Sequence, residues 1–145
     1  MKKHCLPFFL IAPAMLAACG GSVSPAQSVA DAISKKSALI MHSATNRGLE
    51  IGENGVNKLK YPEYLYVFTK FSTPIEGGVA TADISWNIAP AGLFTDKEMD
   101  ADIGQHKYTP TFGAEDVQVK FTGTITYEGA TASVVFNVTL LAKAE

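Results

Sequence analysis

Two cysteines, Cys5 and Cys19, are all this chain has, and both lie among its first twenty residues, so no disulfide can brace anything downstream of them. A fold further along must hold by its apolar core alone. No HExxH or CxxC occurs, and three histidines are too few for a zinc site unless several carboxylates converge. The GxSxG elbow of many serine hydrolases is missing too. Charge is balanced, 12 Lys and Arg against 14 Asp and Glu, and Lys35-Lys36 and Lys58, Lys60 are the only close basic pairs, which argues against nucleic acid and anionic headgroups as partners. Long apolar runs are also lacking. Leu6 to Ala18 would reach roughly 20 Å as a helix against about 30 Å of hydrocarbon, and Pro7 and Pro13 weaken it further.

That short run has the layout of a secretory signal: Lys2 and Lys3, an apolar stretch, then small residues. A cut after Ala18 puts the bulky Leu16 where an ordinary signal wants a small residue. A cut after Gly20, with soluble export, is the alternative. Met15-Leu16-Ala17-Ala18-Cys19-Gly20 resembles the lipobox of bacterial lipoprotein precursors, in which the cysteine is lipidated before cleavage. The resemblance implies that residues 1 to 18 are a signal peptide that is removed, and that Cys19 carries acyl chains such as palmitate. It also implies a lipid-anchored protein of the bacterial cell envelope. Gly20, in place of the aspartate that favours inner-membrane retention, points to the outer membrane. Two or more chains anchor stably where one would be marginal. Residues 19 to 145 amount to one domain, and losing Lys2 and Lys3 makes it more negative than the −2 of the full chain.

Residues 19 to 36 read as the lipidated N-terminus and a tether. Gly20-Gly21-Ser22-Val23-Ser24-Pro25 is flexible in composition. Ser24 and Pro25 could cap and open a short helix, with Val29, Ala32 and Ile33 at helical spacing through Lys36, or the stretch could be a disordered linker.

From Ser37 to Glu145 the period changes to two. Val117, Val119, Phe121, Ile125 and Tyr127 alternate with Gln, Lys and Thr, Glu128-Gly129 supplies a turn, and Ala132, Val134, Phe136, Val138 and Leu140 repeat the pattern, predicting a hairpin. Ala82, Ile84, Trp86 and Ile88 predict a strand after the turn Glu76-Gly77-Gly78, with Trp86 inward. Tyr64 to Phe68 is apolar on both faces and suits a central strand. Ser37 to His42 and Leu49 to Ile51 are weaker strand candidates, with a turn at Asn54-Gly55. Roughly seven short strands predict an all-β, antiparallel β-sandwich, ahead of a small barrel or a meander.

The stretch Ala82 to Lys143 resembles the C-terminal half of bacterial immunoglobulin-like domains of the atrophied type. The matching residues are Asp83-Ile84-Ser85-Trp86-Asn87, Val117 to Thr126, and Ala130-Thr131-Ala132 leading into Phe136-Asn137-Val138-Thr139-Leu140. Gly92 to Phe112 is longer and more acidic than the link expected there, and residues 37 to 81 carry no match. The resemblance implies an immunoglobulin-like sandwich that serves as a spacer or binding module and has no catalytic residues to transfer.

The remaining constellations are spare. Asp96, Glu98, Asp100 and Asp102 alternate in a presumed loop, as oxygen ligands for calcium would, but the glycine and glutamate of an EF-hand are not at the right spacing, and a solvated acidic loop is the expectation. Tyr61, Tyr64, Tyr66, Phe68 and Phe71 cluster in sequence. A binding platform would use such rings, and so would a core without disulfides, which is the expected role. The resulting expectation is a non-catalytic binding or structural module with Cys19 as its lipidation site and no cofactor or metal. Its partners would be the membrane, through the acyl chains on Cys19, and an envelope protein or glycan. The alternatives are a small envelope enzyme or inhibitor, marked by a cleft joining His106 to the acidic residues, and a calcium-stabilised adhesion domain.

Overall fold

The longest alternating segments set the frame. In the computed structural model, which describes residues 21–43 and 56–145, β8 (Val117–Tyr127) and β9 (Ala130–Leu140) pair antiparallel across Glu128-Gly129. Both turn residues have positive φ, 46° and 81°, as a type I′ hairpin demands. β5 (Gly78–Ala89) lies on the other side of β8, and β4 (Lys70–Ile75) pairs with β5 at the edge. On the opposite edge β2 (Val56–Leu59) runs parallel to β9, a departure from the all-antiparallel expectation. The resulting five-stranded sheet has the order β2-β9-β8-β5-β4.

A second sheet is built from β1 (Met41–Ser43), β3 (Leu65–Phe68), β7 (Gln105–Pro110) and β6 (Phe94–Asp100), in the order β1-β3-β7-β6. The two sheets meet through a shared core: Phe121 of β8 packs against Phe94 and Tyr108 of the smaller sheet at centroid distances of 5.0 and 6.2 Å. Leu65, Val67, Ile125, Phe136 and Val138 complete the interior. The expected β-sandwich is present in this sense.

One residue carries the chain from sheet to sheet. Thr69 separates β3 from β4; its N–H donates to the Gly104 carbonyl at 2.8 Å, and its own carbonyl accepts from the Ile84 N–H at 2.7 Å. Gly104 has φ +64°, and a Cβ there would lie 2.7 Å from Thr69 Oγ1 and 2.8 Å from the Lys70 amide nitrogen. Only glycine fits this crossing. A second close approach involves Gly123, over which the Trp86 ring lies; Trp86 also donates from Nε1 to the Phe68 carbonyl at 2.9 Å and packs on Phe121 and Phe136.

Strands of the larger sheet run to 11 and 12 residues, while those of the smaller sheet have no more than 7, so one end of the large sheet is left bare by its partner. Helix α1 (Pro25–Ser34) covers it. Ser24 Oγ caps the helix by accepting from the Gln27 N–H, and Pro25 occupies the first turn. Val29, Ala30 and Ile33 on one face enter the core, while Gln27 Nε2 donates to the Thr131 carbonyl at 2.7 Å and Lys36 Nζ to Thr73 Oγ1 at 3.0 Å. Where composition left helix and linker open, the chain is helical and docked. Within residues 21–36, Gly21 to Ser24 remain exposed and without regular structure.

Two expectations are corrected. Of the strand expected at Ser37 to His42 only Met41 and His42 are extended, in β1; Ser37–Ile40 form a short helix, α2, because Lys36 to Ile40 closes one helical turn. The acidic segment is not a loop: Asp96, Glu98 and Asp100 belong to β6, and their spacing of two is simply the period of a strand. Leu49 to Ile51 and Asn54-Gly55 lie outside the described residues.

Candidate functional site

β3 is central in the smaller sheet, and its alternation sorts the aromatic cluster. Leu65 and Val67 point inward and are fully buried, which leaves Tyr66 and Phe68, with Tyr64 just before the strand, on the outer face, each half-buried. The expectation that these rings form the core is therefore corrected. On β3 the aliphatic Leu65 and Val67 enter the core, and the rings of Tyr64, Tyr66 and Phe68 form a surface.

Register brings the other members. Tyr66 stands opposite His42 on β1 and Lys107 on β7, and Lys107 stands opposite Lys97 on β6. The rings of His42 and Tyr66 are 5.1 Å apart, those of His42 and Phe68 6.0 Å, and those of Tyr64 and Tyr66 5.3 Å in an edge-to-face contact. The Tyr64 and Tyr66 hydroxyls lie 3.4 Å apart. Lys107 Nζ sits 3.8 Å above the Tyr64 ring centroid, an arrangement worth about 0.5–1 kcal/mol at an exposed site. Burial pushes the His42 pKa below its ordinary 6.5, which favours the neutral imidazole. The hydrogen bond with Tyr64, then burial, raises the Tyr66 phenol.

Among the described residues the central register positions of this patch hold lysines and no carboxylate. The carboxylates of β6 alternate to the other side of the strand. There His106 Nδ1 donates to Asp96 Oδ1 at 2.8 Å, with Glu98 Oε2 3.9 Å from Nε2. Asp96 also takes the Tyr108 hydroxyl, and burial followed by the Asp96 charge pushes Tyr108 up to about 12. His106 is thus held with Asp96 and Glu98 in a clasp between β6 and β7. Asp100 does different work: its Oδ1 accepts from the Asp102 and Ile103 amides and shapes the turn between the two strands. Among the described residues no group of three His, Cys, Asp or Glu side chains could hold a metal ion.

Of the five clustered aromatics, Tyr64, Tyr66 and Phe68 stay together. Phe71 packs at the sheet crossing, 6.4 Å from Phe68, and Tyr61 pairs with Phe112 elsewhere, under Lys143 Nζ at 4.4 Å. The sequence reading missed His42, Lys97 and Lys107 as members, since only strand register makes them neighbours. Cys19 lies outside the described residues. No helix among the described residues is long and apolar enough to cross a membrane. Compared with known proteins, the chain has no match among family models, curated proteins or solved structures.

Proposed function

We propose that this chain is a lipid-anchored protein of the bacterial envelope, held by acyl chains on Cys19, whose immunoglobulin-like domain binds a partner, non-catalytically, through the outer face of its smaller sheet. The observation that carries the binding reading is the outward row of Tyr64, Tyr66 and Phe68 flanked by His42 and Lys107. Amphipathic rings on a rigid sheet offer a large contact area at low entropic cost, as in interface hot spots.

The immunoglobulin-like assignment is supported by strand order. β1-β3-β7-β6 against β5-β8-β9 matches A-B-E-D against C-F-G in chain sequence. Trp86 then stands on the C strand, in contact with Phe121 of F and bonded to the end of B, where antibody domains have a tryptophan against a B–F disulfide. This chain, with no cysteine in that region, uses aromatic packing in its place. Helix α1, β4 and the parallel β2 are elaborations on that plan.

A small envelope enzyme has one observation in its favour, His106 between Asp96 and Glu98. The hydroxyl that shares Asp96 belongs to Tyr108, whose raised pKa makes it a reluctant nucleophile, so binding is the better reading.

The test has two arms. Intact mass of membrane-fraction protein should equal residues 19 to 145 plus acyl chains, and Cys19→Ser should be unprocessed or released. Purified cell-wall and outer-membrane fractions should retain the soluble domain, and Tyr66→Ala with Lys107→Glu should lose that retention without a change in thermal stability beyond a few degrees. Unacylated native protein would sink the anchor, and equal retention of the double variant would sink the binding face.

A further inference from the structure

Where α1 lies across the end of the large sheet it leaves an open groove of about 520 Å³. Its walls are Ala26, Val29 and Ala32 of the helix, Pro74 and Ile75 of the edge strand β4, and Tyr127 at the end of β8. These are apolar surfaces on three separate elements. The volume falls within the range of small-molecule sites. Ile75 remains 40 % exposed on the wall of this groove.

Charge at the rim narrows the occupant. Glu76 and Glu128 border the groove, and among the described residues no lysine or arginine lines it, the nearest being Lys36, bonded to the lining residue Thr73. A phosphate or carboxylate headgroup would be repelled there, while a hydrocarbon chain asks for apolar walls only. Position supplies the rest. The groove begins at Pro25, where the chain enters α1, and Cys19 is six residues upstream, within about 20 Å even at full extension. A hydrocarbon attached at Cys19 is therefore delivered to this groove by covalent connection, at a high effective concentration.

We infer that the groove between α1, β4 and the β8–β9 turn receives an acyl chain carried by Cys19. This rests on the reading of Cys19 as the lipidation site. The bilayer competes for the same chain, so the groove fills when the protein is out of the membrane and empties on insertion, an exchange between two hydrocarbon environments. The lipid-modified terminus is then partly shielded from water while it passes between membranes.

The experiment uses the full chain, expressed with a fatty acid bearing a diazirine near its tail, transferred to lipid-free buffer, irradiated, and mapped by peptide mass spectrometry. Crosslinks from the Cys19 peptide to peptides containing residues 73–76 and 127–128 are expected. They should fall at least tenfold in Ala32→Trp, which fills the groove, and in Ile75→Glu, which makes its wall polar on an exposed edge and spares the core. The same protein in vesicles should show crosslinks to lipid instead. Acylated protein whose crosslinks in buffer avoid the groove, or persist unchanged in both variants, would overturn the inference while leaving the anchor intact. A chain that takes up no labelled fatty acid would overturn the anchor reading, and this inference with it.

Discussion

Four glycines separate two ways in which an alanine can fail. Gly104 combines a left-handed backbone, φ +64°, with a Cβ position 2.8 Å from the Lys70 amide nitrogen. Gly77 has φ +83° but open space around it; Gly123 has crowding, 2.9 Å from the Trp86 ring and from Val134, but no positive φ; Gly113 has neither. A left-handed L-residue costs about 1–2 kcal/mol. Overpacking costs about 1–3 kcal/mol, at the high end when the obstacle is backbone that cannot rotate away. Loss of glycine's freedom in the unfolded chain returns about 0.4–1 kcal/mol. Gly104→Ala should therefore destabilise by about 2–4 kcal/mol, Gly77→Ala by about 1 kcal/mol, and Gly123→Ala by about 1–2 kcal/mol, because there the obstacles are side chains. Gly113→Ala should be neutral or slightly stabilising. For a domain of this size each kcal/mol moves Tm by roughly 3–5 °C, so Gly104→Ala should melt about 10 °C low. Trp86 is the only tryptophan, so its fluorescence reports urea unfolding directly, and only Gly123→Ala should also change the spectrum of the native state. If Gly104→Ala and Gly77→Ala cost the same, the crossing at Thr69 is not tight, and the account of how the chain changes sheets fails.

Three further outcomes follow from single contacts. Phe121 is fully buried against Trp86, Phe94 and Tyr108, so Phe121→Ala should lose about 3–5 kcal/mol in urea unfolding, and a loss below about 1 kcal/mol would mean that the sheets do not meet there. Tyr108 prefers its neutral form when folded: the unfolded phenol ionises near pH 10 and the folded one near 12, so this contribution is present below pH 10 and lost as pH rises to 12. Wild-type stability should fall by about 2–3 kcal/mol more than that of Tyr108→Phe across this window, and parallel curves would refute the buried hydroxyl. Glu128 holds φ 46° in the β8–β9 turn, so Glu128→Asn, which tolerates that region, should raise the urea midpoint by the equivalent of about 0.5 kcal/mol, and a lowered midpoint would contradict the turn type.

Local patterns determined the parts of this protein that depend on near neighbours in the chain. The alternation at Val117 to Tyr127 coincides with β8, Glu128-Gly129 forms the turn, Trp86 lies on the inward face of β5, and Ser24-Pro25 starts a helix, because strand period, positive φ and capping are each decided within a few residues. The same logic misjudged the acidic segment, where a period of two meant a strand whose charged side chains fall at an open sheet edge. Edge charge and the register shift between Glu98 and Asp100 are features that disfavour pairing of such an edge with another molecule. Tertiary structure decided the rest. Whether Tyr64, Tyr66 and Phe68 or Leu65 and Val67 face the core is a choice between two apolar sides of one strand, and only the opposing sheet makes it. His42, Lys97 and Lys107 become one surface with those rings through register, which no spacing within a segment encodes. Helix α1 is stable where it is because two sheets of unequal length leave an apolar end to be covered, a fact about the assembled sandwich that residues 25 to 34 cannot express alone.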